Sequence, residues 1–231
     1  MSHKAGFVSI IGKPNAGKST LMNALVGEKM SIITPKAQTT RHRIMGIVND
    51  DNHQIIFSDT PGVITPKYSL QESMMSFVEG SLIDADIILF VTDINEKHDE
   101  NDVVEKLTKT SSPIAVLINK IDKSTEEQVK EKIEYWKEKL NPEAIFAMSA
   151  LLGYNVPPIM TYIKDKLPIH PPYYEKDELT DKSMRFFASE IIREKIFKLY
   201  AKEIPYSTEV AVTSYKEEGH ITRISAEIYV E

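Results

Sequence analysis

Five short apolar, β-rich runs recur along the first two thirds of the chain, at residues 7–11, 54–58, 87–92, 114–119 and 144–148. None of them shows a polar face. Strands of that kind are covered on both sides, which predicts a mainly parallel sheet between two layers of helices. Helical stretches at 19–26, 73–82, 102–108, 126–140 and 157–167 fall between or after the runs. Residues 43–48 read as an edge strand, paired with 54–58 through the turn Asn49-Asp50-Asp51-Asn52. Within 126–140, Trp136 reads as a packing residue. Lys130-Glu131-Lys132 and Lys137-Glu138-Lys139 read as a solvated face on which opposite charges are neighbours.

The alternation stops near Leu167. Pro168, Pro171 and Pro172, followed by Tyr173-Tyr174-Glu175-Lys176-Asp177-Glu178, predict an extended linker. After it come a long helix over 183–202, a stop at Pro205, and strands at 209–215 and 220–230 joined by a turn at Glu218-Gly219. The expected organisation is an α/β three-layer domain over 4–168, a Pro-rich linker over 169–181, and a partial α+β unit over 182–231. One helix and one hairpin make a thin core. The chain ends on its last strand, so this unit reads as incomplete.

Composition acts on this picture only by exclusion. Of 231 residues, 42% are hydrophobic and 27% charged, as in an ordinary globular protein. A collagen-like, mucin-like or wholly disordered chain is excluded. The longest purely apolar run is 87–91, far short of the ~20 residues that span a bilayer. The N-terminus runs into a strand without a signal-peptide core, and the expected compartment is the cytoplasm. Without cysteine there is no disulfide framework and no thiolate metal site. His3, His42, His53, His98, His170 and His220 are scattered, with no metal-ligand spacing. The 28 basic and 34 acidic side chains leave a net charge of −6, so any RNA contact must come from a local patch.

Four short strings carry candidate chemistry, each at the C-terminal end of an expected strand. Gly12-Lys13-Pro14-Asn15-Ala16-Gly17-Lys18-Ser19 follows one strand and opens a helix. Its glycines let backbone N–H groups turn around phosphate oxygens, and the helix N-terminus adds a favourable dipole. Lys18 would reach the β- and γ-phosphates, and the Ser19 hydroxyl would bind Mg2+. In Asp59-Thr60-Pro61-Gly62, with Val63 after it, the carboxylate would hold Mg2+ and the Gly62 N–H would approach the γ-phosphate. In Asn119-Lys120-Ile121-Asp122, the Asp122 carboxylate can accept from N1–H and the 2-amino group of guanine, which adenine lacks. Ser149-Ala150-Leu151 would offer backbone N–H groups to the guanine O6. These strings predict GTP binding and hydrolysis to GDP. A small-molecule kinase on the same phosphate loop is the alternative, disfavoured by the guanine-reading strings.

With Thr34-Pro35-Lys36-Ala37-Gln38-Thr39-Thr40-Arg41 lying between the first two strings, the set resembles the translation-factor class of P-loop GTPases. Within that class it is most similar to the bacterial Era family. The second unit supports the narrower resemblance. Residues 189–196 followed by Glu203-Ile204-Pro205-Tyr206-Ser207 resemble the entry into that family's C-terminal KH domain. The resemblance implies that Thr40 is the switch residue closing onto Mg2+ in the GTP state. The expected catalytic group is therefore Lys18, Thr40 and Gly62, and the Mg2+ ligands are Ser19, Thr40 and Asp59. Asn15 matches the residue that coordinates K+ in related GTPases. Val63 stands where Ras-type GTPases carry a water-orienting Gln, and valine cannot orient water. Arg41 reads as a solvated loop charge without a catalytic role.

The resemblance further implies a monomer that meets the small ribosomal subunit and its ribosomal RNA near the 3′ end during subunit maturation. It also implies a peripheral membrane contact. On the helix 183–202, Arg185, Arg193, Lys195, Lys198 and Lys202 form a basic set that can lie against RNA phosphates. A KH domain grips RNA with a Gly-x-x-Gly loop. Downstream of Glu203 the only glycine is Gly219, so RNA binding by this chain is expected to be weak. The second unit as the functional binding module, with the GTPase as its timer, is the other open reading.

Overall fold

The computed structural model describes residues 2–96 and 103–230. His98, Asp102 and Glu231, each part of a sequence expectation, lie outside the described residues. The six-stranded sheet consists of β1 (Lys4–Ile11), β2 (Ile44–Asn49), β3 (His53–Asp59), β4 (Ile87–Asp93), β5 (Ile114–Asn119) and β6 (Ala144–Ala147). Its order is β2-β3-β1-β4-β5-β6. Every neighbouring pair is parallel except β2 and β3. That one antiparallel pair is the edge hairpin expected from the turn after residue 48.

The absence of a polar face on the strands has the expected cause. In β4, Ile87, Leu89 and Val91 pack into one core beside Leu21, Leu25, Ile159 and Ile163. Those residues come from α1 (Lys18–Val26) and α5 (Val156–Lys166). Ile88 and Phe90 pack on the other face with Met74, Val78, Leu107 and Trp136. These belong to α2 (Ser69–Ile83), α3 (Val103–Thr108) and α4 (Glu126–Leu140). A period-two strand between two helical layers must be apolar at both phases. Trp136 packs edge-on against Phe90, with centroids 5.0 Å apart, as a core residue.

Some boundaries differ from the sequence expectation. β1 starts at Lys4 rather than residue 7, because Lys4 and Ala5 already pair with His53 and Gln54. α2 starts at Ser69 rather than residue 73, closed by bonds from the Gln71 and Glu72 N–H groups to the Tyr68 carbonyl. Lys132 is buried, not solvated, and its amine donates to the Glu96 carbonyl at 2.6 Å.

The Pro-rich segment is extended, as composition predicts, but it is docked along the open side of β2. The Ile47 N–H donates to Leu179 O at 2.8 Å, and the Thr180 hydroxyl to Met45 O at 2.7 Å. The buried Gln54 side chain accepts from the N–H groups of Tyr173 and Tyr174 and donates to Tyr174 O. An edge covered in this way is protected from further strand pairing.

The segment leads into α6 (Met184–Leu199), capped by the Ser183 hydroxyl, and then β7 (Thr208–Glu218) and β8 (Ile221–Val230). α6 stops at Leu199, not 202: Tyr200 is extended and Lys202 is left-handed, with φ 55°. The two strands form an antiparallel hairpin with a bulge between Val212 and Ser214. Every residue of β8 is exposed.

Candidate nucleotide-binding site

The loop after β1 turns so tightly that two positions require glycine. Gly12 has φ +157°, and a Cβ there would meet Val91 O at 2.1 Å. Gly17 has φ +103°, and a Cβ would meet the Asn119 Nδ2 at 2.1 Å. Asn15, at φ 62°, tolerates the left-handed region as asparagine does. α1 then begins at Lys18, so its first, unpaired N–H groups face the loop's concavity.

Lys18 is buried and its amine donates to Lys13 O at 2.9 Å. Burial lowers its pKa to about 8, against the opposing pull of Asp59 and Glu96. An anion entering the loop would favour the charged amine. At the N-terminal end of α1, the Ser19 hydroxyl donates to Asp59 Oδ2 at 2.7 Å and lies 3.0 Å from the Thr40 hydroxyl. Asp59 is fully buried, and burial raises its pKa despite Lys18 and Ser19. Its other oxygen, Oδ1, is buried without a hydrogen-bond partner. Two hydroxyls and an under-satisfied carboxylate at one corner are a hard-oxygen donor set, which fits Mg2+.

Gly62 passes so near the loop that a Cβ would sit 2.5 Å from Pro14 N. The part of the cleft around Asn119 and Lys120 is built by a clamp. Asn119 donates from Nδ2 to Ala16 O at 2.8 Å and accepts at Oδ1 from Ala150 N–H at 2.9 Å. Lys120 donates to Asn15 O at 2.7 Å and to Asp93 Oδ2 at 2.6 Å. Asp122 sits on the short helical turn Ile121–Lys123. Pro14, Asn15, Gly17, Lys18, Ser19, Thr40, Gly62, Asn119, Lys120, Asp122 and Leu151 line one cleft of about 570 Å³.

Other predicted residues support the cleft from behind. The Thr60 hydroxyl is buried on Ile10 O at 2.8 Å. The Val63 N–H is taken by Gly12 O at 3.0 Å, and its side chain is in the core. The Ala150 N–H, expected to face guanine, is held by Asn119. Ile32, Ile33 and Lys123 line the cleft and were not anticipated. The only signal for the isoleucines was an apolar pair directly before Thr34-Pro35, outside any strand pattern.

Two charged residues lie elsewhere than expected. Arg41 is buried rather than solvated, with its guanidinium on the carbonyls of Pro205, Tyr206 and Thr208. Arg193 is also buried, against Glu190, and does not share the surface of Arg185, Lys195, Lys198 and Lys202. Lys202 lies past the end of α6.

A sequence profile for the 50S ribosome-binding GTPases matches residues 7–120. The chain is 41% identical to GTPase Era of Staphylococcus haemolyticus, over 99% of this chain and 78% of that protein. The chain belongs to the Era family of GTPases. GTPase Era of Clostridium botulinum is 39% identical over 95% of this chain and 75% of its own length. Among solved structures, Era in complex with MgGDPNP and nucleotides 1506–1542 of 16S ribosomal RNA superposes with a TM-score of 0.92. It shares 40% identity and covers 99% of this chain and 80% of its own. An Aquifex aeolicus Era variant bound to GDP.AlF4- gives a TM-score of 0.91 at 40% identity, over 98% and 79% of the two chains. As an Era-family GTPase this chain hydrolyses GTP on the fold described above.

Proposed function

We propose that GTP lies in the cleft with guanine against Asp122 and Leu151 and the triphosphate along residues 12–19, and that the chain is a GTP-controlled switch acting on 16S ribosomal RNA in small-subunit assembly. What carries the reading is the convergence of Lys18, Ser19, Thr40, Gly62 and Asp122 on one cleft from four separate stretches of sequence. Lys18 and the N–H groups opening α1 hold the phosphates. Ser19, Thr40 and Asp59 would hold Mg2+, which would supply positive charge to offset the charge of the phosphates. Gly62 brings its N–H to the γ-phosphate, and Asn119 and Lys120 keep the base end aligned with the phosphate loop. Asn15 holds K+ beside the phosphates. With Val63 buried, no side chain at that position orients the attacking water, so unassisted hydrolysis is slow.

The RNA part of the reading is supported by the Era relative solved with 16S ribosomal RNA nucleotides 1506–1542. In this chain the contacts would come from exposed Arg185, Lys195, Lys198 and Lys202. The division into a GTPase domain over 4–168, a linker and a KH-like unit belongs to the same proposal. It works as a cytoplasmic monomer.

The base assignment has a direct test. Asp122→Asn exchanges an acceptor for a donor, so GTP affinity should fall by about 10²-fold or more while xanthosine triphosphate, with its 2-oxo group, gains. Unchanged GTP affinity with no gain for the xanthosine nucleotide, measured by titration calorimetry, would remove Asp122 from the base site.

A further inference from the structure

Thr40 is fastened on both sides to the C-terminal unit. Before it, the Thr39 carbonyl accepts from Arg193 Nη2. After it, Arg41 donates from Nη1 to Thr208 O at 2.8 Å, and from Nη2 to Tyr206 O at 2.9 Å and Pro205 O at 3.1 Å. Next, the His42 ring packs edge-on between Phe77 of α2 and Phe186 of α6, with centroids 6.1 and 5.9 Å away. Between these anchors, only Thr40 faces the metal corner.

The anchor is itself a built structure. Glu190 grips Arg193 with two bonds of 2.7 Å, to Nε and Nη2, one helical turn apart on α6. Both residues are buried. Phe197 lies beneath both guanidiniums, 5.3 Å from Arg193 and 6.0 Å from Arg41. Arg41 Nε and Arg193 Nη1 are buried without a partner. The remaining acid near Arg41, Glu209, is 3.7 Å away and its side chain is 69% exposed. Two buried cations facing one buried carboxylate are an expensive way to fill space. A hydrophobic patch would join a loop to a helix at less cost, but it would not hold a backbone carbonyl in register. The guanidinium fork does so, because its donors are rigid and directional.

We infer that Glu190 and Arg193, with Arg41, form a clasp through which the C-terminal unit positions Thr40 for Mg2+–GTP. The inference rests on the assignment of Thr40 to the metal corner made above. Glu190 and Arg193 are positioning residues: neither lines the cleft, and they act through the Thr39 carbonyl. Residues 31–43 contain no helix or strand, so an untethered Thr40 would lose backbone freedom each time it closed on the metal. The clasp removes most of that loss in advance. Its benefit falls on the triphosphate state, where Thr40 is engaged, and not on the diphosphate state.

The test measures affinity for a non-hydrolysable GTP analogue and for GDP, both with Mg2+, in the whole chain. Arg193→Ala alone strands Glu190 in the interior and can unfold the unit. The informative variant is therefore Glu190→Leu with Arg193→Met, which removes both charges at similar volume, with Arg193→Lys as the conservative partner. The double variant should keep GDP affinity and weaken the analogue about tenfold, a size usual for coupling between sites. Arg193→Lys should restore part of it. Thr40→Ala should show the same selective loss, and combining it with the double variant should add nothing, because both act on one contact. An unchanged ratio of analogue to GDP affinity in the double variant overturns the clasp. Equal losses for both nucleotides do so too, since they mark a merely structural role. If Thr40→Ala leaves the ratio unchanged, the Thr40 assignment fails and the clasp's route fails with it, whatever the double variant does.

Discussion

Lys18 buries its amine at the floor of the cleft, and the consequence is measurable. Its pKa falls from 10.5 to about 8, chiefly through burial. Between those values the unfolded chain binds more protons than the folded one, so this residue makes the nucleotide-free protein more stable as pH rises from about 8 to about 10.5. Urea denaturation of the wild type and of Lys18→Met across that window should show the wild type gaining on the variant. Bound GDP should flatten the gain, because a phosphate restores the charged amine. A constant difference between the two proteins would mean that Lys18 is solvated. Asn15 yields a second test at this scale. If it holds K+, exchanging Na+ for K+ at constant ionic strength should raise the hydrolysis rate, and Asn15→Ala should abolish the increase. Equal rates in the two salts would remove the cation. Asn119 was legible in the sequence as part of a guanine-reading string. Its role as a pin between Ala16 O and Ala150 N–H was not, because that role depends on a separation of 103 residues along the chain.

At the level of elements, the alternation of apolar runs and helices was legible because each strand is short, doubly covered and followed by its own helix. Less legible were the ends. Whether β1 begins at residue 4 or 7 depends on a partner strand, and at the end of α6 the extended Tyr200 gives its carbonyl to the distant Lys36 amine. The docked segment after α5 shows the same dependence. Proline and tyrosine content predicts extension, but docking takes partners on β2 and β3, among them one buried side chain, Gln54, which satisfies both N–H groups of Tyr173 and Tyr174. Gln54→Leu keeps the volume and removes the partners. It should destabilise the chain by about 1–3 kcal/mol, the usual range for stranding buried polar groups. It should also speed hydrogen exchange at residues 173 and 174 first. Global destabilisation without that local effect would place the value of Gln54 elsewhere.

For the whole molecule, the charge distribution limits RNA binding. Four basic residues near α6 are exposed, Arg185, Lys195, Lys198 and Lys202, and Lys198 already pairs with Glu194 at 3.1 Å. Contact with single-stranded RNA through these four alone gives a log–log salt slope no steeper than about −3. Filter binding of the ribosomal RNA fragment between low and physiological salt measures it. A steeper slope, or tight binding that survives charge reversal of all four, would place recognition on another surface. Among the described residues no helix is long and apolar enough to cross a membrane.

By itself the sequence determined the parallel sheet, the nucleotide class and the strings proposed to handle phosphate, metal and base. Each of these rests on local physics: doubly buried strands lack polar positions, phosphate loops need glycine, and guanine needs a carboxylate. Only the tertiary structure decided that Arg41 and Arg193 are interior, that Ala150 spends its N–H on Asn119, and that Val63 faces the core. An arginine looks the same in sequence whether it meets water or a carbonyl contributed some 165 residues away. Burial and pairing belong to the contact between distant segments, and neither segment encodes that contact alone.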